Sequence, residues 1–150
     1  MGKLVCETQV NAPASRVFEV ITDIERWPDG IEGVLATEKL TAGPVAIGTQ
    51  FTETRKLFGK EATETFTFTD IVPGEQYTLV GESCGMRYES VHALSPNADG
   101  TLLRLEMDSI PLTLPAKIMW PVMNLLMKST MRKMIQKDLD DIARVCEGDR

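Results

Sequence analysis

The chain combines an ordinary globular composition with an uneven distribution of charge. Its 150 residues are 43% hydrophobic and 25% charged, which excludes a low-complexity polypeptide and favours one domain, residues 1–150, with a buried core. The net charge is −6, yet the segment from Ser109 to Lys137 holds five basic residues and no acidic one, so the remainder carries −11. An acidic body argues against a general nucleic-acid binder, and we expect no nucleic-acid partner.

The sequence shows no export or membrane-spanning signal. No apolar stretch of signal-peptide length follows Lys3, and the nearest approach to a spanning segment, Ile118 to Met127, falls short of the roughly 20 residues required. Cys6, Cys84 and Cys146 are odd in number, far apart and without metal-ligand spacing, as is typical of reduced thiols. We therefore expect a cytoplasmic protein.

The first predicted elements are a strand and a short helix. Leu4 to Val10 alternates apolar and polar side chains, as a half-buried strand does, and Asn11-Ala12-Pro13 ends it. Apolar residues then recur at helical spacing behind a proline that a first helical turn tolerates. We expect Trp27-Pro28-Asp29-Gly30 to break this helix, because a residue before proline is pushed out of the helical region. The helical stripe consists of Val17, Phe18, Ile21 and Ile24.

Between Glu32 and Ile110, turn signals recur at strand-like intervals and divide the segment into about six strands. Short hairpins join only antiparallel neighbours, so the segment predicts a single curved antiparallel sheet. The turn signals are Gly43-Pro44, Gly59-Lys60, Pro73-Gly74, Gly85 and Asn97-Ala98-Asp99-Gly100.

The C-terminal segment reads as one long helix. Pro121 lacks the N–H that would bond Lys117, so it should start, kink or interrupt this helix, and we place the regular part from Pro121 to about Cys146. The first half is apolar nearly all round, whereas Gln136 to Arg144 is amphipathic. The apolar stripe is Ile118, Val122, Leu125, Met131, Ile135, Leu139 and Ile142, and methionine recurs every fourth residue at Met119, Met123, Met127 and Met131.

Four motifs carry a resemblance to a known family. They are Val10-Asn11-Ala12-Pro13-Ala14, Asp23-Ile24-Glu25-Arg26-Trp27-Pro28, Gly48-Thr49-Gln50-Phe51 and Asp99-Gly100-Thr101. With them the whole chain resembles the START-like superfamily, and more narrowly its polyketide cyclase/dehydrase and lipid-transport branch, also called SRPBCC. The resemblance implies an α+β helix-grip fold, in which an antiparallel sheet of about seven strands wraps round a long C-terminal helix, two short helices follow the first strand, and a cavity takes hydrophobic ligands. Such proteins include carriers, sensors, cyclases and aromatases, so the fold leaves the function open.

Strand alternation predicts which side chains face this cavity. If Phe51 faces the helix, Glu53 and Arg55 do so too, and the same rule orients the later strands. A slip of one residue would invert the set for its strand, so the phase of each strand stays open at this point. The predicted ligand-binding residues are Phe51, Glu53, Arg55, Glu64, Phe66, Phe68, Leu79, Tyr88, His92, Met107, Met119 and Met123.

Polar residues in this set suggest two chemistries. Arg55 with Glu53 and Glu64 would fix an acidic or hydroxylated ligand or support acid/base work, unless it forms a salt bridge at the sheet rim. His92, the only histidine, would move protons or hydrogen-bond structurally. One histidine also argues against a His-based metal site, and we expect neither metal nor cofactor.

Three further residue patterns have both a structural and a functional interpretation. Tyr77 and Tyr88 would hydrogen-bond a carbonyl or quinone oxygen, or pack in the core. Trp27 would be a packing anchor or part of a lid. Gly81-Glu82-Ser83-Cys84-Gly85 matches the hydrolase G-x-S-x-G motif, but the following residues predict a strand where that motif needs a helix, so we predict a hairpin.

Together these features favour a binder or transporter of a hydrophobic small molecule, such as a lipid, isoprenoid, quinone or polyketide-like aromatic. An alternative is a polyketide cyclase, aromatase or dehydratase with His92 or Glu64 as the weak candidates for proton transfer. A third is a membrane-surface lipid or quinone chaperone that uses the basic segment Lys117 to Lys137 together with Trp120. Ile118 to Met127 would line the cavity, cover its mouth or form a dimer contact, so both a monomer and a homodimer fit.

Overall fold

The computed structural model describes residues 2–57, 59–83 and 85–148. Within these ranges the chain forms a seven-stranded antiparallel sheet, a long C-terminal helix and short helices after the first strand, which confirms the predicted α+β helix-grip fold. The elements are β1 (Gly2–Val10), α1 (Ala14–Thr22), a 3₁₀ turn (Ile24–Arg26), α2 (Trp27–Gly30), β2 (Val34–Lys39), β3 (Gln50–Leu57), β4 (Lys60–Val72), β5 (Gln76–Ser83), β6 (Met86–Asn97), β7 (Gly100–Pro111) and α3 (Leu114–Cys146).

The sheet is a meander whose last strand returns to the first. Its strand order is β1-β7-β6-β5-β4-β3-β2. Gly100, at the start of β7, has φ +129°, and a Cβ there would collide with the carbonyl of Val10 and the backbone of Ala12. The next residue, Thr101, donates from Oγ1 to the Ala12 carbonyl at 2.8 Å. The Asp99-Gly100-Thr101 motif therefore fastens the end of β1 to the last strand.

The short helices differ from the prediction in one respect. Trp27-Pro28 does not break a helix but begins α2. Pro28 lies in the first turn, where a backbone N–H has no partner within the helix, so the proline costs no hydrogen bond. The preceding helix has already ended at Thr22. Trp27 is buried, donates from Nε1 to the Val20 carbonyl at 3.3 Å and packs edge-on against Phe51, with ring centroids 5.4 Å apart. It thus anchors the small helices to the sheet.

The C-terminal helix begins seven residues before the predicted start. Thr113 caps it by accepting the Ala116 N–H at 3.3 Å, and Pro115 lies in the first turn. Pro121 lies inside the helix rather than at its start. Both Pro121 and Lys117 are exposed, so water can reach the carbonyl that the proline leaves without its helical donor. Capping and solvation together let the helix run through this proline.

The two halves of α3 have opposite surroundings. No residue from Leu114 to Met134 is buried, whereas the segment from Ile135 to Cys146 joins the hydrophobic core. The predicted apolar stripe therefore splits between these halves. Its buried members are Ile135, Leu139 and Ile142, and its exposed members include Ile118, Val122 and Leu125.

Asp141 fixes the C-terminal half of α3 to the loop before β2. Its carboxylate is almost fully buried and accepts the Glu32 N–H at 3.0 Å, Arg144 Nη2 at 2.6 Å and Lys137 Nζ at 3.3 Å. Burial alone would raise the pKa of this carboxyl, but these donors outweigh it and hold the pKa below its ordinary value. The buried charge is thus paired on three sides, as such charges must be.

Candidate functional site: a cavity beneath the C-terminal helix

A cavity of about 490 Å³ lies between the inner face of the sheet and α3. This volume falls within the usual range for small-molecule sites. Its wall is formed by side chains of all the central strands and by one side of the helix, and most of them are apolar. The fold therefore provides a largely apolar cavity with a small number of polar points, partly open to solvent.

The structure places eleven of the twelve predicted site residues on the cavity wall. The exception is Phe68, which is fully buried and packs against Phe51 and Tyr77 with ring centroids 5.7 and 5.1 Å apart. It lies in the core behind the wall and supports it. The residues on the wall are Phe51, Glu53, Arg55, Glu64, Phe66, Leu79, Tyr88, His92, Met107, Met119 and Met123. Contact of these side chains with a ligand stays a prediction.

Arg55 joins the sheet to the helix through two carboxylates. Its Nε lies 3.1 Å from Glu53 Oε1 and its Nη2 lies 2.9 Å from Asp138 Oδ2 on α3. Gly33 makes room for this arrangement, since a Cβ there would lie 3.1 Å from Arg55 Nη1 and 3.2 Å from Asp138 Oδ1. The predicted salt bridge exists, but beneath the helix rather than at the sheet rim. Burial would lower the pKa of Arg55, but the two carboxylates raise it, so the guanidinium stays charged.

Glu64 lies beside this cluster without joining it. It pairs with Glu53 in the register of β3 and β4, yet within the described residues no hydrogen bond or ion pair reaches its carboxyl. Burial and the nearby Glu53 raise its pKa, and Arg55 only partly opposes them. Asp138 likewise has a raised pKa, because burial outweighs its bond to Arg55. We call Glu53, Arg55, Glu64 and Asp138 the polar end of the cavity; it contains one paired cation and three carboxyl groups, while Lys3 and Lys128 also line the cavity wall.

His92 and Tyr77 are register partners on the neighbouring strands β6 and β5, and their rings contact each other at an interplanar angle of 33°. Their ring centroids are 4.7 Å apart. Burial lowers the pKa of His92 to about 4, so the imidazole is neutral at pH 7, and its Nδ1 is buried without a hydrogen-bond partner in the described part of the chain. Tyr77 donates its hydroxyl to the Ile21 carbonyl at 2.8 Å and is almost fully buried, so of its two interpretations core packing is the one that holds. Tyr88 does line the cavity.

Side chains of α3 form the roof of the cavity. The four methionines spaced four residues apart all face it, and Trp120 lies among them. Unbranched thioether side chains adapt to varied apolar shapes, which suits a roof of this kind. Asp138 was not predicted from the sequence, although its position three residues after Ile135 and four before Ile142 places it on the inward side of the helix. The roof methionines are Met119, Met123, Met127 and Met131.

The glycine-rich G-x-S-x-G segment is a hairpin, as predicted. The strand β5 ends at Ser83 and β6 begins at Met86, so no helix follows the serine. Cys84 lies outside the described residues. Cys6 and Cys146 are both buried.

Comparison with known proteins agrees with this architecture. Residues 1–147 match the sequence profile of the family described as polyketide cyclase / dehydrase and lipid transport. The chain belongs to this family. The search of curated proteins found no significant match.

Solved structures of other proteins share the fold at low sequence identity. A Thermus thermophilus protein superimposes with a TM-score of 0.77 at 19% identity, with 97% of each chain covered. The Zhui aromatase/cyclase from Streptomyces gives 0.77 at 17% identity, covering 97% of this chain and 93% of that one. Major latex-like protein 151 from Panax ginseng gives 0.77 at 12% identity, with 96% of each chain covered.

Proposed function

We propose that this family member binds a hydrophobic small molecule in the cavity beneath α3. The observation that carries the proposal is the cavity itself, a space of about 490 Å³ walled by apolar strand residues and roofed by methionines. Removing apolar ligand surface from water stabilises a complex by about 25 cal/mol per Å². Family members bind hydrophobic small molecules, and lipids, isoprenoids, quinones and polyketide-like aromatics all match this chemistry.

The charges at the polar end narrow the ligand class. Arg55 already binds two carboxylates, and Glu64 adds a further carboxyl group nearby. A carboxylate on the ligand would meet excess negative charge there, whereas a hydroxyl can donate to Glu64. We therefore favour ligands whose polar end is neutral.

A cavity-filling variant tests this proposal. Ser90 and Val91 are neighbours on β6, and only Ser90 lines the cavity. Ser90→Trp should abolish retention of 1-dodecanol in native mass spectra, while Val91→Trp should retain it because its side chain lies on the other face of the sheet. Wild-type protein should also prefer 1-dodecanol to dodecanoate. Equal retention by both variants would contradict a ligand site in this cavity.

A second candidate, a cyclase-type enzyme, rests on the two proton-transfer candidates. Glu64 has a raised pKa, His92 is a neutral base, and both line the same cavity. A pair of this kind suits proton transfer at a bound polyketide-like chain. Turnover that is lost in His92→Gln and Glu64→Gln, with folding and ligand retention intact, would support an enzyme. If no product forms from aromatic polyketide surrogates, ligand binding would stand as the only supported function.

A further inference from the structure

One side of the N-terminal half of α3 presents apolar residues to solvent. Leu114, Ile118, Val122 and Leu125 recur at intervals of four, four and three residues, which places them along one side of the helix. They are 52 to 82% exposed. We call these four residues the outer stripe. The cavity-facing methionines lie on the opposite side of the same turns, so packing on the sheet does not account for the outer stripe.

Basic residues flank the outer stripe. Lys117 and Lys128 follow it along one side, although Lys128 also lines the cavity. Lys133 and Arg132, whose Nη1 donates to the Val5 carbonyl at 2.9 Å, lie on the turns just beyond Leu125. All four are exposed. No acidic residue occurs between Ser109 and Lys137, although the chain as a whole carries −6. An apolar stripe with basic flanks is the pattern of a helix that lies in a membrane interface.

We propose that the outer stripe docks on the surface of an anionic lipid bilayer. The exposed apolar side chains would enter the acyl boundary while the flanking lysines meet lipid phosphates. A second copy of this chain fits less well, because a two-fold contact would place the basic residues of both copies along one interface, and this segment holds no acidic residue to pair with them. No described helix is long and apolar enough to cross a membrane, so contact would lie along the surface.

Docking of this kind would let a hydrophobic ligand pass directly from the bilayer into the cavity, and in that respect it rests on the proposed function. The outer stripe and the roof methionines belong to the same helical turns. No residue of these turns is fully buried, although Met131 at their C-terminal end packs partly against the core. Small displacements of this half of α3 would therefore open the cavity toward the bilayer. Trp120, which the sequence suggested as a membrane contact, instead faces the cavity.

Vesicle flotation with matched variants tests the surface. Wild-type protein should float with phosphatidylcholine vesicles containing 20% phosphatidylglycerol, but not with pure phosphatidylcholine, and 0.5 M NaCl should abolish the binding. Ile118→Ser should weaken binding at least tenfold. Ile47→Ser is the control, since Ile47 in the β2–β3 loop is 65% exposed against 66% for Ile118. Lys117→Glu, at an exposed lysine that does not line the cavity, should weaken binding by more than fivefold, while Arg26→Glu, on the small helices, should not.

Three results would overturn the docking surface. They are no difference between the two vesicle types, equal effects of Ile118→Ser and Ile47→Ser, and a wild-type dimer in light scattering that Ile118→Ser converts to a monomer. The last would assign the outer stripe to a second copy. Retention of 1-dodecanol by Ile118→Ser separates this test from the proposed function, because loss of docking with retained ligand affects the outer stripe alone.

Discussion

The two halves of α3 both carry apolar side chains but use them in opposite ways. In the C-terminal half, Leu139 and Ile142 are buried in the core. In the N-terminal half, Ile118 and Leu125 face solvent while the methionines on the other side roof the cavity. The comparison teaches that helical periodicity indicates an apolar face but not what that face buries. The core contacts belong to one half of this helix and the outer stripe to the other, while both halves line the cavity.

The largest effect should come from the ion pair that lies where the two halves meet. Arg55→Ala leaves Glu53 and Asp138 without their cation inside the fold, which should lower the free energy of unfolding by about 4 kcal/mol in urea denaturation. Arg87→Ala is the control. Arg87 also pairs with two carboxylates on strands, but its side chain is 37% exposed, so we expect a loss below about 1 kcal/mol. Equal losses would show that Arg55 does not connect the sheet to the helix.

A pair of leucine truncations compares the halves directly. Leu139 is 1% exposed and Leu125 is 82% exposed. Leu139→Ala should cost about 3 kcal/mol through lost burial and a residual cavity. Leu125→Ala should change stability by less than about 0.5 kcal/mol. If both truncations destabilise alike, the N-terminal half packs in solution against something that this fold does not provide.

The smallest expected effect is a pH dependence from the cavity wall. The pKa of His92 is about 4 in the fold against 6.5 when exposed, so the unfolded chain binds its proton first as pH falls. Stability is therefore complete above pH 6.5 and decreases as pH falls toward 4. At about 1.4 kcal/mol per pKa unit, and allowing for water in the cavity, the loss attributable to His92 should be about 2 kcal/mol. His92→Gln should flatten this part of the profile, and an unchanged slope would contradict burial of the imidazole.

Most of the predicted site residues do line the cavity, because the alternation of side chains along a strand is a local property that can be read from the sequence. Phe51, Tyr88, His92 and Met107 lie on the wall as their strand phase predicted. Phe68 shares that phase but lies at the core end of its strand, and how far a cavity extends along a strand is decided by distant packing. The predicted start of α3 was wrong because the free-energy cost of a proline inside a helix depends on whether water reaches the carbonyl that has lost its donor.

The second partner of Arg55, Asp138, was missed for a different reason. Glu53, two residues away on the same strand, was expected to pair with it, and does. Asp138 lies 83 residues further along the chain and meets Arg55 only because the helix crosses the inner face of the sheet. The exposed outer stripe was unpredictable on the same ground, since only the packed structure shows which side of an all-round apolar helix meets the cavity.

Hydrogen exchange along α3 tests the central claim most directly. Amides of residues 135–146 should exchange slowly with or without ligand, because that half belongs to the core. Amides of residues 114–130 should exchange faster in the empty protein and should gain protection when 1-dodecanol occupies the cavity beneath them. Equal protection of both halves, unchanged by 1-dodecanol, would contradict the division of α3 into a core half and a ligand-covering half.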